Sequence, residues 1–225
     1  MITINLYVPN NVFLEENNTL GIWLSGGADS SLLCYLLAKY IKENNLDYKI
    51  QPVAILKRQG DTAHLDVLNF IKQNLNCNEL FLDIIVYNPK DKQEYDESFS
   101  NVRNKHIIDG RYNYIYSGIN QSPDIQEYTK GWNIAPEIQN IRGSRINKLK
   151  ILCGVIELNG VDYEFGDIRP FTMIDKKEIA NIYKQYNLLD SLFPLTNSCN
   201  GDSPANTHCE KCWNCRERFW AFGKF

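Results

Sequence analysis

The feature that most constrains this chain is an apolar run that stops abruptly at two glycines. Leu20-Gly-Ile-Trp-Leu24 is short, hydrophobic and bounded by turn residues, which reads as a buried strand. Ser25-Gly26-Gly27-Ala28-Asp29-Ser30-Ser31 follows at once, and from Leu32 to Tyr40 a helix is predicted, with Leu33, Leu36, Leu37 and Tyr40 at helical spacing. A strand, a glycine turn and a helix in that order bring backbone N–H groups together where the helix dipole favours an anion. Gly26 and Gly27 admit positive φ and leave room for close approach of a phosphate. Ser25, Ser30 and Ser31 add hydroxyl donors. No Lys-Ser/Thr follows the glycines, so this is not a Walker A loop, and the glycine spacing is not that of a dinucleotide fingerprint. The plain alternative is an ordinary turn in which Asp29 complements the helix dipole.

The rest of the chain extends the pattern. Strands are expected over 49–56, 80–87 and 112–117, the last ending at Gly118. A helix is expected from Ala63 to Leu75, with Leu65, Leu68, Ile71, Lys72 and Leu75 forming its stripe. Alternating strands and helices predict an α/β fold, a doubly wound and mostly parallel sheet. Before the fourth strand only Arg103 to Arg111 reads as helical. The stretch 121–147 is polar, contains Pro123, Pro136 and Gly143, and reads as loop with some helix. Residues 149–157 and 161–165, joined across Asn159-Gly160, read as a hairpin inserted at about 149–165. Asp175 and Glu178 form an acidic capping box for a helix running to about Tyr186. The expected organisation is one α/β domain over residues 1–190 and a metal-bound segment over 191–225.

Composition excludes several classes. Hydrophobic residues make up 44% of the 225 residues, enough for a packed core. The net charge of −3 and a pI near 5.7 disfavour nucleic acid as a partner. No stretch approaches the roughly 20 apolar residues of a membrane helix, and the N-terminal residues lack a basic region followed by an apolar run. A cytoplasmic protein with no membrane partner is expected, its cysteines reduced or metal-bound. Cys34, Cys77 and Cys153 sit in apolar patterns and read as packing residues. Cys199, Cys209, Cys212 and Cys215 cluster, the last three in two successive CxxC steps. Four thiolates at about 2.3 Å in a tetrahedron suit structural zinc with no open position. Disulfides, an iron–sulfur cluster, unbound thiols and a site using His208 in place of one cysteine are the alternatives. His208 adjoins Cys209, a poor geometry for sharing one metal, and reads as a loop residue.

SGGxDS after an apolar strand resembles the signature of the PP-loop ATP pyrophosphatase superfamily. That resemblance implies an adenine nucleotide alpha hydrolase-like fold in which the loop holds the β- and γ-phosphates of ATP and attack falls on the α-phosphate. Thr196-Asn-Ser-Cys199, then Cys209, Cys212, Cys215, Arg216, Arg218 and Phe222, resemble the C-terminal signature of the 7-cyano-7-deazaguanine synthase family. So do Arg169-Pro170-Phe and the following Asp175-Lys176-Lys-Glu178-Ile179. The likeness covers 19–87 in layout and 168–222 motif by motif. It implies conversion of 7-carboxy-7-deazaguanine, ammonia and ATP to 7-cyano-7-deazaguanine, with AMP and pyrophosphate released. The middle departs: Leu56-Lys57-Arg58-Gln59-Gly60-Asp61, with His64 nearby, replaces the family's Tyr-Gly-Gln. Ser122-Pro123-Asp124 is at best a remnant of its Tyr-Pro-Asp-Cys-Arg, and the hairpin is extra.

On that resemblance, Asp29 and Lys176 are the expected catalytic residues, Asp29 orienting the loop or Mg²⁺ and Lys176 offsetting phosphate charge. Ser25, Gly26, Gly27, Asp29, Ser30 and Ser31 would bind the ATP phosphates, and Ile55, Leu56 and Lys57 would flank adenine. Gly118 and Asn120 would border the deazapurine-like acid. Arg216 and Arg218 either reach the site or solvate the tail. ATP, Mg²⁺ and Zn²⁺ are the implied cofactors, ammonia the nitrogen donor, and a homodimer the assembly of close relatives. A related enzyme adenylating another acceptor remains open. So do a tRNA-thiolating enzyme, which would need a reactive cysteine such as Cys34 near ATP or an iron–sulfur cluster, and a non-catalytic binding module.

Overall fold

A computed structural model describes residue 6 and residues 18–123, 151–158, 160–201 and 203–225. Asp124, Pro136, Gly143 and Asn159 of the expectations above lie outside the described residues, as does the side chain of Cys153. The first apolar run is β1 (Thr19–Trp23), followed by α1 (Ala28–Glu43), β2 (Lys49–Ile55), α2 (Ala63–Asn74) and β3 (Ile85–Tyr87). Then come α3 (Lys92–Ile108), β4 (Tyr114–Tyr116), β5 (Ile151–Leu158), β6 (Val161–Ile168), α4 (Lys176–Gln185) and α5 (Trp213–Phe222). Six strands form one sheet in the order β3-β2-β1-β4-β6-β5. Every neighbouring pair is parallel except β5–β6. The α/β fold with a mostly parallel sheet is therefore as expected. Winding reverses between β1 and β4, which makes the carboxyl end of that pair the switch point where such sheets hold ligands.

One face of the sheet carries the main core. Leu20, Ile22 and Leu24 of the first strand region meet Leu32, Leu33, Leu37 and Ile41 of α1, all fully buried. α1 begins four residues earlier than its apolar pattern, at Ala28. Ser30 and Ser31 turn their hydroxyls back to the carbonyl of Gly27 (3.1 and 2.8 Å), which lets a polar first turn remain helical. α2 buries Ala63, His64, Val67, Leu68 and Ile71, while Leu65 is exposed, so the stripe lies one step round from the expected one. α4 has the predicted capping box: Glu178 N–H donates to Asp175 and Asp175 N–H to Glu178 (3.0 and 3.1 Å).

Three expectations are corrected. β3 is shorter than 80–87: a 3₁₀ turn over Asn78–Leu80 precedes it, and only Phe81 bridges to β2. Beside that gap lies Pro52, which has no N–H to give, and the Gln51 amide donates to Asp83 O instead (2.7 Å). The helix before β4 is 17 residues long rather than confined to 103–111. Its start was hidden by polarity, but Asp91 caps it by accepting from Glu94 N–H (2.8 Å). The hairpin is not an appendage, because β6 pairs parallel with β4 and is itself a sheet strand. Among the described residues no helix is long and apolar enough to cross a membrane.

Beneath α3 a second core of Val53, Val102, Ile107, Tyr112 and Ile115 surrounds a buried imidazole. The His106 ring nitrogens meet the hydroxyls of Tyr87 (2.8 Å) and Tyr112 (3.0 Å). Burial pulls His106 down to about 4, from the ordinary 6.5. The unfolded chain thus takes up the proton first as pH falls. The stability conferred by neutral His106 is complete above pH 6.5 and is lost toward pH 4, by up to about 3 kcal/mol. Urea unfolding should show a steeper decline across this window for the wild type than for His106→Gln. Equal slopes would contradict the assignment.

Candidate active site and metal centre

At the switch point the chain turns through Ser25 to Gly27. Gly26 adopts φ +75°, and a Cβ there would lie 2.7 Å from the backbone nitrogen of His64 at the start of α2. Only glycine fits. Gly27 is the N-cap of α1, with no side-chain cap. Ser25 Oγ lies 3.0 Å from Ser30 Oγ and accepts from Gly27 N–H (3.3 Å). The first helical N–H groups, at Ala28, Asp29 and Ser30, have no partner within the helix and point to the N-terminal end. Across the pair, the chain after β4 presses Gly118 against this turn, its Cα so placed that a Cβ would sit 2.8 Å from Ser30 N.

Lys176, the first residue of α4, reaches under the loop and donates to Asp29 Oδ2. It is 4% exposed, and Glu217 of α5, fully buried, places Oε2 3.9 Å from its Nζ. Asp29 Oδ1 is buried and meets no hydrogen-bond partner among the described residues. Lys176 and Asp29 border a cavity of about 590 Å³, lined also by Ser25, Gly27, Ser30, Lys57 and Gly118. Trp23, Tyr95, Phe99, Arg103, Asp167 and Arg169 complete its far side. An adjoining cavity of about 690 Å³ at the ends of β2 and β3 shares Lys57, Tyr95 and Asn200 with it and adds Leu56 and Arg58. Lys57, Arg103, Arg169 and Lys176 outnumber Asp29 and Asp167, so the first cavity favours an anion.

The structure thus brings most of the sequence-derived candidates to one place. Gly26 and Ser31 shape the loop from behind rather than lining the cavity. Ile55 is buried in β2, while Leu56 and Lys57 reach the second cavity. Asn120 is fully buried and does not line either space. Arg218 is resolved: it is 1% exposed, donates to Thr196 Oγ1 (2.6 Å) and Phe193 O (3.0 Å), and lies 3.7 Å from the Phe193 ring centre. It clamps the turn before the cysteines, and neither Arg216 nor Arg218 lines the cavity. Cys34 is fully buried in α1, where burial pushes its thiol well up, and no cysteine lines the cavity among the described residues. Sequence reasoning missed Arg103, Asp167, Trp23 and Phe99. Trp23 and Asp167 stand at or near the carboxyl ends of strands, the signal that could have found them.

The four tail thiols converge. Sγ of Cys199, Cys209, Cys212 and Cys215 all lie within 4.8 Å of one another. Cys209–Cys215 and Cys199–Cys212 are 4.0 and 3.9 Å apart, against about 3.8 Å expected for a tetrahedron with metal–sulfur bonds near 2.3 Å. Backbone N–H groups aim at the sulfurs, from Gly201 and Cys209 to Cys199 (3.4 Å each) and from Cys212 to Cys209 (3.2 Å). Burial opposes ionisation of Cys199, but the Ser203 hydroxyl and these N–H groups bring it down to about 6. The donor set therefore fits a thiophilic metal. His208 Nδ1 lies 3.8 Å from Cys215 Sγ, outside the thiol set.

This tail is joined to the loop. Asn197 N–H donates to Gly26 O (2.8 Å), and Ala28 N–H to Ser198 Oγ (3.3 Å). Lys57 donates to Asn200 Oδ1 (2.7 Å), and Arg58 bridges Asp61 and the carbonyls of Ser203 and Pro204.

No family model matches the sequence, and no curated protein does. Among solved structures the fold is similar to FMN adenylyltransferase of Candida glabrata, in complex with FMN and an ATP analogue, at 16% identity and a TM-score of 0.38. That alignment covers 76% of this chain and 50% of the other, so the chain spans half the length of that enzyme chain. It is also similar to NAD+ synthetase from Burkholderia pseudomallei, at 10% identity and a TM-score of 0.37, covering 93% and 76% of the two chains. These are distant likenesses of chain path.

A Cβ on Gly201 would lie 2.5 Å from Cys209 Sγ. Gly201→Ala should therefore displace that sulfur and drop the metal content of purified protein well below that of the wild type, read by elemental mass spectrometry. Unchanged metal content in a folded variant would disprove the four-thiol geometry.

Proposed function

We propose that the chain is an AMP-forming, ATP-dependent enzyme that activates a carboxylic acid, with 7-carboxy-7-deazaguanine and ammonia as substrates and 7-cyano-7-deazaguanine as product. The observation that carries the ATP half is the Lys176–Asp29 pair. A buried ammonium stands at the N-terminus of α1, beside a glycine turn, at the sheet's switch point. A triphosphate seated there meets backbone N–H groups, serine hydroxyls and the helix dipole together. The second cavity, at the ends of β2 and β3, receives the adenosine end next to Leu56 and Lys57.

The chemistry follows from that seating. An oxygen of the acceptor carboxylate attacks the α-phosphorus, and the bond from that phosphorus to the bridging oxygen breaks. The leaving pyrophosphate stays on the loop, where Lys176 offsets its charge. Ammonia then adds to the acyl carbon, AMP departs, and a proton passes to solvent, giving the amide. A second ATP activates the amide oxygen in the same way. Loss of AMP and of both amide protons leaves the nitrile. Asp29 Oδ1, buried without a hydrogen-bond partner among the described residues, would be the residue to hold a magnesium ion. Magnesium there would add charge neutralisation to the leaving pyrophosphate. Cys199, Cys209, Cys212 and Cys215 would hold zinc as a closed structural site.

A second reading keeps the nucleotide and changes the acid. Arg103 and Arg169 on the far wall suit any flat anionic acceptor. The thiolation reading loses support, since Cys34 is sealed within the core.

With ATP, magnesium, ammonium and 7-carboxy-7-deazaguanine, purified protein should release AMP and a nitrile identified by mass spectrometry. Lys176→Ala should lower kcat by roughly 10²-fold or more. AMP release with other acids but not this one favours the second reading, and no AMP with any acid removes the activity.

A further inference from the structure

We propose that Asp167 decides which acceptor the cavity takes, its second carboxylate oxygen receiving an N–H of an exocyclic amine on the acceptor's ring edge. This rests on the acceptor half of the function proposed above, the reading of this cavity as the acceptor site. Asp167 pairs in register with Ile115 near the end of β6. Phe165, two residues back and so on the same face, belongs with Ile115 and Val102 to the core beneath α3. Ile168, on the other face, joins the α1 core. The Asp167 side chain therefore stands on the α3 half of the cavity, across the sheet from the core that holds α1.

Asp167 is only 6% exposed. Arg169 donates to Oδ2 through both Nε (3.0 Å) and Nη2 (2.5 Å). Oδ1 is buried and has no hydrogen-bond partner among the described residues, although the residue lines the cavity. A buried carboxylate oxygen without a donor marks a place where a donor is missing. The same cavity is lined by the Trp23 and Phe99 rings, edge to face at 5.2 Å, and by Arg103, lying 4.4 Å from the Phe165 ring centre. Aromatic walls suit a flat ring. The guanidiniums only donate, so they cannot receive an amine N–H, whereas Asp167 only accepts. A ring with an exocyclic amine at that position satisfies Oδ1. A ring with a carbonyl in that place opposes lone pair to lone pair.

Asp167→Asn tests this without changing shape. Arg169 can only donate, so it fixes the amide oxygen toward itself and leaves the NH₂ where Oδ1 was. The polarity of that edge is thereby reversed. Calorimetry on the full chain, with and without the ATP analogue AMPCPP and magnesium, compares 7-deazaguanine with 7-deazaxanthine. The wild type should bind 7-deazaguanine at least about 10-fold tighter, Asp167→Asn should prefer 7-deazaxanthine, and AMPCPP affinity should be the same in both. Should Asp167→Asn lose its cooperative melt, Asp167→Ser, which both donates and accepts, must level the two affinities. An unchanged preference in the variant that folds overturns the proposal, as does a wild type that binds neither base. A wild type showing the preference but no AMPCPP binding removes the nucleotide reading and leaves this one standing.

Discussion

The rest of the site depends on one buried charge. Lys176 carries an ammonium that is almost wholly removed from water, and such a group is tolerated only where anions meet it. Asp29 comes from the first turn of α1 and Glu217 from α5. Three segments far apart in sequence are thereby obliged to converge. The loop geometry, the start of α4 and the seating of α5 are parts of one electrostatic constraint. The capping box at Asp175 and Glu178 fixes the residue just ahead of Lys176, so the lysine leaves the helix from a rigid point.

That constraint gives the glycine turn a partner it cannot supply for itself. A helix N-terminus holds an anion weakly in water, because its dipole is screened there. Here the turn is backed by α2 through the close approach at Gly26, walled by Gly118, and underpinned by Lys176. The opposite half of the cavity is built on different terms, from rings and guanidiniums on α3, β1 and β6. Charge-rich and aromatic halves on either side of one sheet end make a single space with two unlike ends.

Local patterns in the sequence carried the order of strands, the loop, the α4 cap and the cysteine cluster, because each is specified by residues close together in the chain. Gly26 with Gly27, or Cys209 with Cys212, can be read without knowing what lies across from them. The far wall could not be read that way. Phe99 and Arg103 sit on a helix whose surface is mostly polar, so its periodicity is faint. Asp167 falls just beyond the hairpin expected over 149–165, and only the parallel pairing of β6 with β4 brings it to the cavity. Arg218 shows the converse. Its place in a familiar motif left the active site and a solvated tail both open, but its packing on Phe193 makes it a clamp. Long-range pairing, not propensity, decided each of these.

The bonds from Asn197 and Ser198 to the glycine turn have a consequence for how the molecule comes into being. A ribosome delivers the turn well before its partners. A nascent chain that has released β1 to α3 can assemble half a sheet, yet the turn then lacks Lys176, the tail amide and the wall after β4. The glycine turn therefore cannot reach its finished setting until synthesis has passed Ser198 and Glu217. The cavity is completed in one step, and a chain stalled before it is a scaffold with an open end.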